Sequence, residues 1–484
     1  MKKSLLSSSI FILVLTLSFS VSWAAISSAH GVTVTPRSED FIHCIQSNSN
    51  NVTSISKLIF TSVNASFLPI WQVAVENTKF LKLSTPKPSV IVTPVDETLI
   101  QTALYCAKKH GYEIRIRSGG HDAEGRSYTA NVPFVMIDLT NMRSVDMDLA
   151  KKTVWAQGGA TLGELYYSII QKSKTLFFPA GLCASVGVGG HMGGGGYGNL
   201  MRKYGTASDN VVDARFMDVN GNIFNRKSMG EDLFWAIRGG GASSFGIVLA
   251  WKLKLVRVPK KVTVFMLSKT LEEGATELFH KYQYVAPTID KNLHIRTSWV
   301  LHGRPSSTPI EIVTNRSGIP KVNSKSKIDF VRTPIPKSGL RKIWRKIMES
   351  DGSELLGSNP FGGKMAEYSE TAIPYPHRAG VLYQLFKNVN FYNQPSDTTT
   401  IALKRIAWLD SLEKLLTPYV SKNPREAYSN YADLDLGVGN ATYEEASVWG
   451  ERYWKRRNFK KLIQIKAKVD PQNFLRYPQS IPVF

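Results

Sequence analysis

A twelve-residue run from 187 to 198 holds eight glycines, and it constrains the fold of this chain more than any other segment. Without side chains, such a backbone can pack directly against another segment or a ligand, and its amides can point at an anion such as a pyrophosphate. Gly193, Gly195 and Gly198 match the GxGxxG pattern, but that pattern requires a preceding strand, and residues 179–185 are typical of a loop. The run therefore predicts a ligand-binding loop but not a Rossmann dinucleotide site.

Two further glycine loops, at 118–120 and 239–241, argue against the simpler interpretation of the glycine run as a flexible surface loop. The first of them follows a predicted strand, helix and strand. Residues 89–93 form a short apolar strand, a helical period runs from 94 to 111, and residues 113–117 alternate apolar with charged side chains. A loop at the end of such a strand is a common place for a functional site.

The remaining apolar segments predict further strands at 134–139, 154–157 and 247–258, with a helix over 162–170. Beyond residue 258 the composition changes to more lysine and serine and less glycine. We therefore place a domain boundary at about residue 259.

The first 24 residues have the pattern of a cleaved signal peptide, with two lysines, an apolar run from 10 to 21 and then small residues. No other segment is long and apolar enough to span a membrane. We therefore expect a protein of the secretory pathway, in the extracellular space or the vacuole and without a membrane anchor after cleavage. Four sequons predict N-glycosylation, at Asn51, Asn64, Asn315 and Asn440.

The chain has 60 lysine and arginine residues against 38 acidic residues, a formal charge of +22. This charge permits nucleic acid, anionic wall polymers or acidic small molecules as partners and selects none of them. The basic stretches 321–346 and 455–468 contain no familiar nucleic-acid motif, and Leu462, Ile463 and Ile465 give the second stretch an apolar side. We therefore expect a solvated charged surface there and no nucleic-acid partner.

The cysteines and histidines leave open what the loops do. Three cysteines leave one thiol over if two of them pair. The nine histidines contain no HExxH, and no second cysteine lies near Cys183, so we expect no metal site. From spacing alone, a structural role explains His121 as well as a functional role does. For Cys183, an inert buried thiol is a slightly less good explanation than a functional role.

Five segments, in order along the chain, resemble the berberine bridge enzyme-like family of plant FAD-linked oxidases. The resemblance extends over nearly the whole mature chain, and the sequences RSGGHDAEG and PHRAG are most similar to those of the cannabinoid oxidocyclases in that family. The five segments are Arg117–Gly125 (RSGGHDAEG), Cys183–Gly198 (CASVGVGGHMGGGGYG), Asp232–Gly246 (DLFWAIRGGGASSFG), Tyr428–Gly437 (YSNYADLDLG) and Asp470–Pro482 (DPQNFLRYPQSIP).

The resemblance implies an α+β fold with two domains. An FAD-binding domain of the vanillyl-alcohol oxidase (PCMH) type is expected over 40–258, and a substrate domain with a helix-covered antiparallel sheet over 259–422. Residues 423–484 are expected to form a berberine-bridge-type segment that returns to the FAD domain. We expect the protein to be a monomer.

The resemblance also implies FAD held by two covalent links. His121 matches the histidine that bonds the flavin 8α carbon, Cys183 matches the cysteine that bonds carbon 6, and Cys44 and Cys106 match the family's amino-terminal disulfide. The other positions expected to contact FAD are Arg117, Ser118, Gly119, Gly120, Asp122, Val186, Gly187, Gly189, Gly190, His191, Gly193, Gly196, Tyr197, Gly198, Gly246 and Ile247.

Three further positions carry what the resemblance implies about chemistry. Val186 matches the position that gates oxygen, where valine accompanies oxidase behaviour. Tyr431 matches the general base of relatives with phenolic substrates and Tyr197 a second tyrosine near the flavin, although plain packing is an alternative for each. A tyrosine is a useful base only if its environment lowers a pKa of about 10.

The implied reaction is hydride transfer from a phenolic or prenylated phenolic substrate to flavin N5, with O2 reduced to H2O2. A prenylated phenol oxidised in this way can close a ring. The expected partners are thus a small-molecule substrate and O2.

Two departures from the family pattern bear on this function. Strand 383–391 contains no carboxylate, which disfavours the berberine bridge reaction, whose glutamate base lies on the corresponding strand. A few dozen residues carried by the family are missing near 297–298, and their loss removes packing area and exposes strand edges. Three alternatives stay open: a carbohydrate or monolignol oxidase, a Diels–Alder-type cyclase that retains FAD, and an inactive cationic wall-binding protein.

Overall fold

The computed structural model describes residues 35–49, 52–73, 75–299, 321, 323–391 and 399–484. The predicted signal peptide and the sequons at Asn51 and Asn315 lie outside these residues. Asn64 is exposed and Asn440 is half-buried, and glycosylation of either stays a prediction.

The described residues form thirteen α-helices and fifteen strands. The helices are α1 Pro36–Ser47, α2 Val52–Ser56, α3 Phe67–Val73, α4 Glu97–Lys109, α5 Leu162–Lys172, α6 Val188–Gly193, α7 Met201–Tyr204, α8 Arg226–Ile237, α9 Ala275–Val285, α10 Lys337–Met348, α11 Lys364–Glu367, α12 Thr399–Leu416 and α13 Tyr443–Val469. The strands are β1 Ile59–Phe60, β2 Val90–Val92, β3 Glu113–Arg117, β4 Phe134–Asp138, β5 Val145–Asp148, β6 Thr153–Gln157, β7 Leu176–Phe177, β8 Val211–Met217, β9 Ile223–Phe224, β10 Ile247–Lys254, β11 Val256–Arg257, β12 Thr297–Trp299, β13 Asn323–Val331, β14 Glu354–Pro360 and β15 Tyr383–Phe391.

The first sheet has the order β1-β2-β4-β3, with β2, β4 and β3 parallel and β1 antiparallel. It contains the predicted strand, helix and strand as β2, α4 and β3, which confirms that prediction. The helix begins at Glu97 rather than near Pro94 because the side chain of Asp96 accepts hydrogen bonds from the backbone N–H groups of Thr98 and Leu99. The glycine loop at 118–120 directly follows strand β3.

The second sheet is antiparallel, with the order β5-β6-β10-β8-β9. It contains two of the further predicted strands as β6 and β10, while the third forms β4 of the first sheet. The predicted helix is α5, which begins at a capping box between Thr161 and Glu164. This sheet, α5 and α13 share the largest apolar core.

The third sheet is antiparallel, with the order β12-β14-β15-β13, and α9, α10 and α12 cover one face of it. Two faces follow from the register. Tyr383 and Leu385 point to the helices, while Phe386 packs with Ile328 in a separate core that includes Tyr428. The described residues thus form an α+β fold. The predicted domain limits stay predictions, since residues 34–484 cluster as one compact unit.

Charged side chains are buried in the helix-facing layer of this third sheet. Asp329 on β13 receives bonds from Lys387 on β15 and from both arms of Arg425, while Glu413 on α12 pairs with the same two cations. Burial by itself raises the pKa of Asp329, but Lys387 and Arg425 outweigh that effect and hold the pKa below its ordinary range. The layer is therefore held by paired charges as well as by apolar packing.

The two basic stretches differ in their surroundings. On α13, Leu462 and Ile465 are buried and Lys460 is exposed, which agrees with the predicted solvated face. On β13, by contrast, Lys325 and Lys327 are buried and pair with carboxylates from other segments, which are Glu124, Asp410, Asp433 and Asp435. The charges of β13 are consequently used within the fold.

The edge strand β12 of the third sheet is short, and the segment between β11 and α9 exposes apolar side chains. Strand β12 has three residues, and the next described strand begins at Asn323. Between β11 and α9, the apolar side chains of residues 262, 264, 265, 266 and 267 are all more than half exposed. Exposed apolar surface of this kind is the expected result of losing the residues that are missing near 297–298. No helix among the described residues is long and apolar enough to cross a membrane.

Candidate cofactor and active site

The two predicted glycine loops touch each other through their backbones. A Cβ added at Gly119 would lie 2.7 Å from the carbonyl oxygen of Ser185 and would overlap the backbone N of Gly187. A Cβ at Gly187 would lie 2.8 Å from the Cβ of Ser118. The hydroxyl of Ser118 in turn donates to the carbonyl of Gly158 at 2.5 Å. Only glycine fits at positions 119 and 187, because a side chain at either position would collide with the backbone of the other loop.

This contact brings together the two residues predicted to hold the flavin. The hydroxyl of Ser185 lies 2.7 Å from Nε2 of His121 and 3.6 Å from Sγ of Cys183. Cys183 is exposed and unpaired, while Cys44 and Cys106 form a disulfide, as predicted. Cys183 is therefore not the buried inert thiol that spacing alone allowed.

His121 lies in an environment that keeps its imidazole neutral. Burial, helped by the nearby Lys321, lowers the pKa of His121 to about 4. Nε2 is occupied by Ser185, and Nδ1 has no hydrogen-bond partner among the described residues. A neutral ring with an unengaged nitrogen is the form of histidine that can act as a nucleophile.

A carboxyl group that sequence reasoning missed lies beside this histidine. Oε2 of Glu76 is 3.9 Å from Nε2 of His121. Burial raises the pKa of Glu76 to about 7, against the opposing effect of Lys321. Glu76 lies in none of the five motif segments, so the sequence carried no signal for it.

Tyr431 and Tyr197 lie together in an aromatic cluster beside the glycine run. Both rings lie against that of Tyr428, whose centroid is 5.4 Å from that of Tyr197 and 5.9 Å from that of Tyr431, and the ring of Tyr431 packs edge-on against Phe386 with centroids 5.5 Å apart. Burial raises the pKa of Tyr431, with Tyr197 and the charge of Arg296 acting in the opposite direction. The environment therefore does not lower the pKa of Tyr431 below its usual value, contrary to the requirement for a base at neutral pH.

Tyr428 and Asn430 fix the glycine run and were not predicted as site residues. The hydroxyl of Tyr428 accepts from the backbone N–H of Gly196 and from Nδ2 of Asn430, both at 2.9 Å. Nδ2 of Asn430 also donates to the carbonyl of His191 at 2.9 Å. Both residues lie in the segment 428–437, so the resemblance contained the signal.

The side chains of Arg117 and Asp122 are engaged within the protein. The guanidinium of Arg117 is buried, donates to the carbonyls of Ile70 and Trp71 and pairs with Asp138. The carboxylate of Asp122 accepts from the backbone of residues 124 and 126 and from the Arg126 side chain. These bonds fix the loop, and contact of either residue with FAD stays a prediction.

The remaining predicted positions divide by how tightly they are packed. Nε2 of His191 accepts from the backbone N–H of Gly181 at 3.0 Å, and burial lowers the pKa of His191 to about 4. A Cβ would meet neighbouring atoms at the tightly packed glycines and open space at Gly190. Val186 is half-buried beside Cys183, and Ile247 is buried at the start of β10. The tightly packed glycines are Gly189, Gly193, Gly196, Gly198 and Gly246, and Gly120 has a φ of +72°.

Three buried polar atoms near Tyr431 have no hydrogen-bond partner within the part of the chain that the structure describes. They are Nε2 of Gln384 and Oδ1 of Asn388 on the third sheet, and the hydroxyl of Tyr375, which lies outside that sheet. Gln384 and Asn388 flank Phe386 on β15 and share its face. Unpartnered buried polar atoms are costly unless a ligand or water completes them, so this face is suited to hold a hydroxylated ligand. Among the described residues, no group of three or more His, Cys, Asp or Glu is placed to hold a metal ion.

Two family models match the chain. One, described as FAD binding domain, matches residues 88–226, and the other, described as berberine and berberine like, matches residues 427–482.

Curated relatives are similar over almost their whole length. Berberine bridge enzyme-like 26 of Arabidopsis thaliana is 41% identical over 520 positions, which cover 93% of this chain and 96% of that protein. Monolignol oxidoreductase AtBBE-like 13 of the same plant is 41% identical, with coverage of 92% and 93%. Because 520 positions exceed the 484 residues of this chain, the first relative has residues without a counterpart here, in agreement with the expected missing residues.

Solved structures are similar over the same range. BBE-like #28 from Arabidopsis thaliana has a TM-score of 0.86 and 39% identity, covering 92% of this chain and 100% of that chain. The grass pollen allergen Phl p 4, a glucose dehydrogenase in its wild-type form, has a TM-score of 0.83 and 35% identity, covering 92% and 99%. A variant of it with valine in place of isoleucine is described as a glucose oxidase, with a TM-score of 0.84, 36% identity and the same coverage.

The contact between the glycine loops predicts unequal effects of two glycine substitutions. Gly187→Ala drives a methyl group into Ser118 and should destabilise the protein by about 3 kcal/mol, measured by urea denaturation. Gly190→Ala, in the same run, adds its methyl group to open space and should leave the free energy of unfolding nearly unchanged. Equal destabilisation by the two substitutions would contradict the packing described here.

Proposed function

The chain belongs to the berberine bridge enzyme-like family of FAD-linked oxidases, and from this we propose that it is a secreted oxidase of plant specialised metabolism with a phenolic substrate. Its fold is the α+β fold of that family, with a PCMH-type FAD-binding domain and a substrate domain with an antiparallel sheet. It is an FAD-linked oxidoreductase. The single observation that supports the phenolic substrate is the aromatic cluster of Tyr431, Tyr197 and Phe386, since its rings and hydroxyl groups match a phenol.

The residues present fit FAD and support its attachment at two points. Gly190 borders open space, His121 is neutral with Nδ1 unengaged, and the thiol of Cys183 is exposed within reach of the same serine. We propose that His121 bonds the 8α carbon and Cys183 carbon 6. When bound, FAD supplies the acceptor for a hydride and the means to pass electrons to O2.

The chain's own residues handle the substrate proton. Tyr431 accepts it from the substrate hydroxyl, and Tyr197 and Arg296 ease this step because both lower the pKa of Tyr431. Burial acts more strongly in the opposite direction, so the phenolate of Tyr431 forms mainly at alkaline pH. The site-facing residues of β15 are Gln384, Phe386 and Asn388, without a carboxylate, which supports Tyr431 rather than a glutamate as the base.

A second candidate is an oxidase of alcohols, either monolignols or carbohydrates. Nε2 of Gln384 and Oδ1 of Asn388, which have no partner among the described residues, favour it, because they offer a donor and an acceptor to substrate hydroxyl groups. A relative is named monolignol oxidoreductase, and a structural neighbour is a glucose dehydrogenase. Oxygen uptake with a phenol, coniferyl alcohol and glucose as separate substrates distinguishes these possibilities.

We propose secretion to the extracellular space or the vacuole, and a monomeric enzyme whose partners are a small molecule and O2.

Covalent attachment is tested by acid precipitation of the purified protein. Flavin colour should remain with the precipitated wild-type protein and with the single variants His121→Ala and Cys183→Ala, because either link alone holds the cofactor. It should be lost to the supernatant only in the double variant. Colour retained by the double variant would place the links elsewhere.

Replacement of Tyr431 tests the proposed base. Tyr431→Phe should lower kcat by about 100-fold or more while covalent flavin content is unchanged. Since the base form of a group with a raised pKa appears only as pH rises, wild-type kcat should increase from pH 7 toward pH 10, and the variant should lose this increase. Tyr197→Phe serves as the matched control and should retain the rise, displaced to higher pH. An unchanged profile in Tyr431→Phe would contradict the proposal.

Replacement of Val186 tests how oxygen reaches the site. A larger side chain beside Cys183 should restrict O2, so Val186→Ile should slow oxygen consumption while turnover with an artificial dye acceptor is maintained. The glucose oxidase variant of Phl p 4, with valine in place of isoleucine, supports this direction. Val186→Ala is the control and should remain an oxidase. If Val186→Ile slows both acceptors equally, Val186 does not gate oxygen.

A further inference from the structure

A cavity of about 830 Å³ opens on the side of the molecule formed by the start of α13 and the segments 369–376 and 422–426. It is lined by fourteen residues, none of them aromatic, and its only apolar members are Pro376 and Pro424. Its volume is that of a site for an organic ligand of drug size rather than for a single inorganic ion. A ligand that fits this lining must be strongly polar.

The charges of the cavity are unequal in number. Five cationic side chains line it against three carboxylates, which are Glu370, Glu426 and Glu451. The carboxylates are already engaged by three of the cations, in the pairs Arg332–Glu426, Lys455–Glu370 and Arg456–Glu451. The two remaining cations, Lys422 and Arg457, have no ion-pair or hydrogen-bond partner among the described residues, and both are exposed. The lining thus offers two free positive charges.

The wall of the cavity is fixed rather than adaptable. Both arms of Arg332 bond the buried carboxylate of Glu426 at 2.8 Å. Nδ2 of Asn458, which is 3% exposed, donates to the carbonyls of Glu370 at 2.8 Å and Pro374 at 3.1 Å. A ligand entering the cavity therefore meets a fixed wall formed by Arg332, Glu426 and Asn458, while Lys422 and Arg457 become ordered only on binding.

Lys455 is held in a backbone conformation that a non-glycine residue rarely adopts. Its φ of +57° and ψ of 158° interrupt α13, and its Nζ lies 2.5 Å from Glu370 and 3.3 Å from Glu426. A continuous helix would avoid this strain, which persists only where the surrounding structure enforces it. The interruption lies among lining residues, with Arg456 and Arg457 directly after it.

We propose that this cavity is a second ligand site, distinct from the flavin site, that binds a hydroxylated organic polyanion through Lys422 and Arg457. Carboxylates on a sugar-acid oligomer and the phosphate of a sugar phosphate share this chemistry. Either ligand places at least two negative charges against the free cations, and its hydroxyl groups match Ser369, Thr371 and Asn423.

Calorimetric titration of the purified holoenzyme at about 0.15 M salt tests the proposal. The probes are trigalacturonate, glucose 6-phosphate and uncharged maltotriose. We expect saturable binding of one anionic probe at a single site, no binding of maltotriose, and a flavin spectrum that stays unchanged. Binding by trigalacturonate identifies the carboxylate source and binding by glucose 6-phosphate the phosphate source. Absence of binding by both anions, or an anion that perturbs the flavin spectrum, overturns the proposal.

Two sets of variants separate this site from the general positive charge of the protein. The double variant Lys422→Ala/Arg457→Ala should weaken binding by about tenfold or more, and Lys57→Ala/Lys414→Ala, which removes two exposed cations elsewhere, should not. Equal losses in the two double variants would reduce the effect to non-specific attraction and overturn the proposal.

Discussion

The backbone contact between the loops at Gly119 and Gly187 is the constraint on which the rest of the site depends. The first loop leaves strand β3 of the parallel sheet, and the second leads into α6 over the antiparallel sheet, so their contact joins two sheets. An added Cβ at either glycine would separate them. Because Ser185 lies at this junction, it can reach both His121 and Cys183, and two residues 62 positions apart become parts of one site.

The third sheet reaches this junction through paired charges as well as apolar packing. Lys325 and Lys327 on β13 pair with Asp433, two residues after Tyr431, and Lys325 also pairs with Glu124, three residues after His121. These buried pairs connect the sheet to both sides of the site. Losing one partner would leave a charge buried without compensation, which is far more costly than losing an exposed pair. The position of Tyr431 relative to the glycine run is therefore specified electrostatically.

Burial dominates the titration behaviour of the site. It keeps His121 neutral, and it raises the pKa of both Glu76 and Tyr431. The first effect favours a nucleophilic imidazole, whereas the effect on Tyr431 opposes its action as a base at neutral pH. In the proposed function, burial thus favours attachment of FAD through His121 and restricts proton removal by Tyr431 to alkaline pH.

Local elements were predictable because their causes are local. The alternation in β3, the helical period of α4 and the capping box of α5 all appear in the sequence within a few residues, and all three elements are present. The candidate site residues came instead from motif resemblance, and the structure brings two of them, His121 and Cys183, to the same serine. The resemblance could not show that the side chain of Arg117 is engaged by Asp138 and two backbone carbonyls, because those partners lie outside its motif.

The sequence by itself determined the glycine loops, the supply of one unpaired thiol and several strands and helices between residues 89 and 258, since these follow from residue type and spacing. Only the tertiary structure decided that the free thiol and His121 share Ser185, that Glu76 lies beside them, and that one amide atom each of Gln384 and Asn388 is buried on β15 with no partner among the described residues. These relations join segments distant in the chain, and burial sets their energies. The distance between such segments and the exclusion of water from between them do not depend on any single residue. Both are set only when the sheets pack against each other.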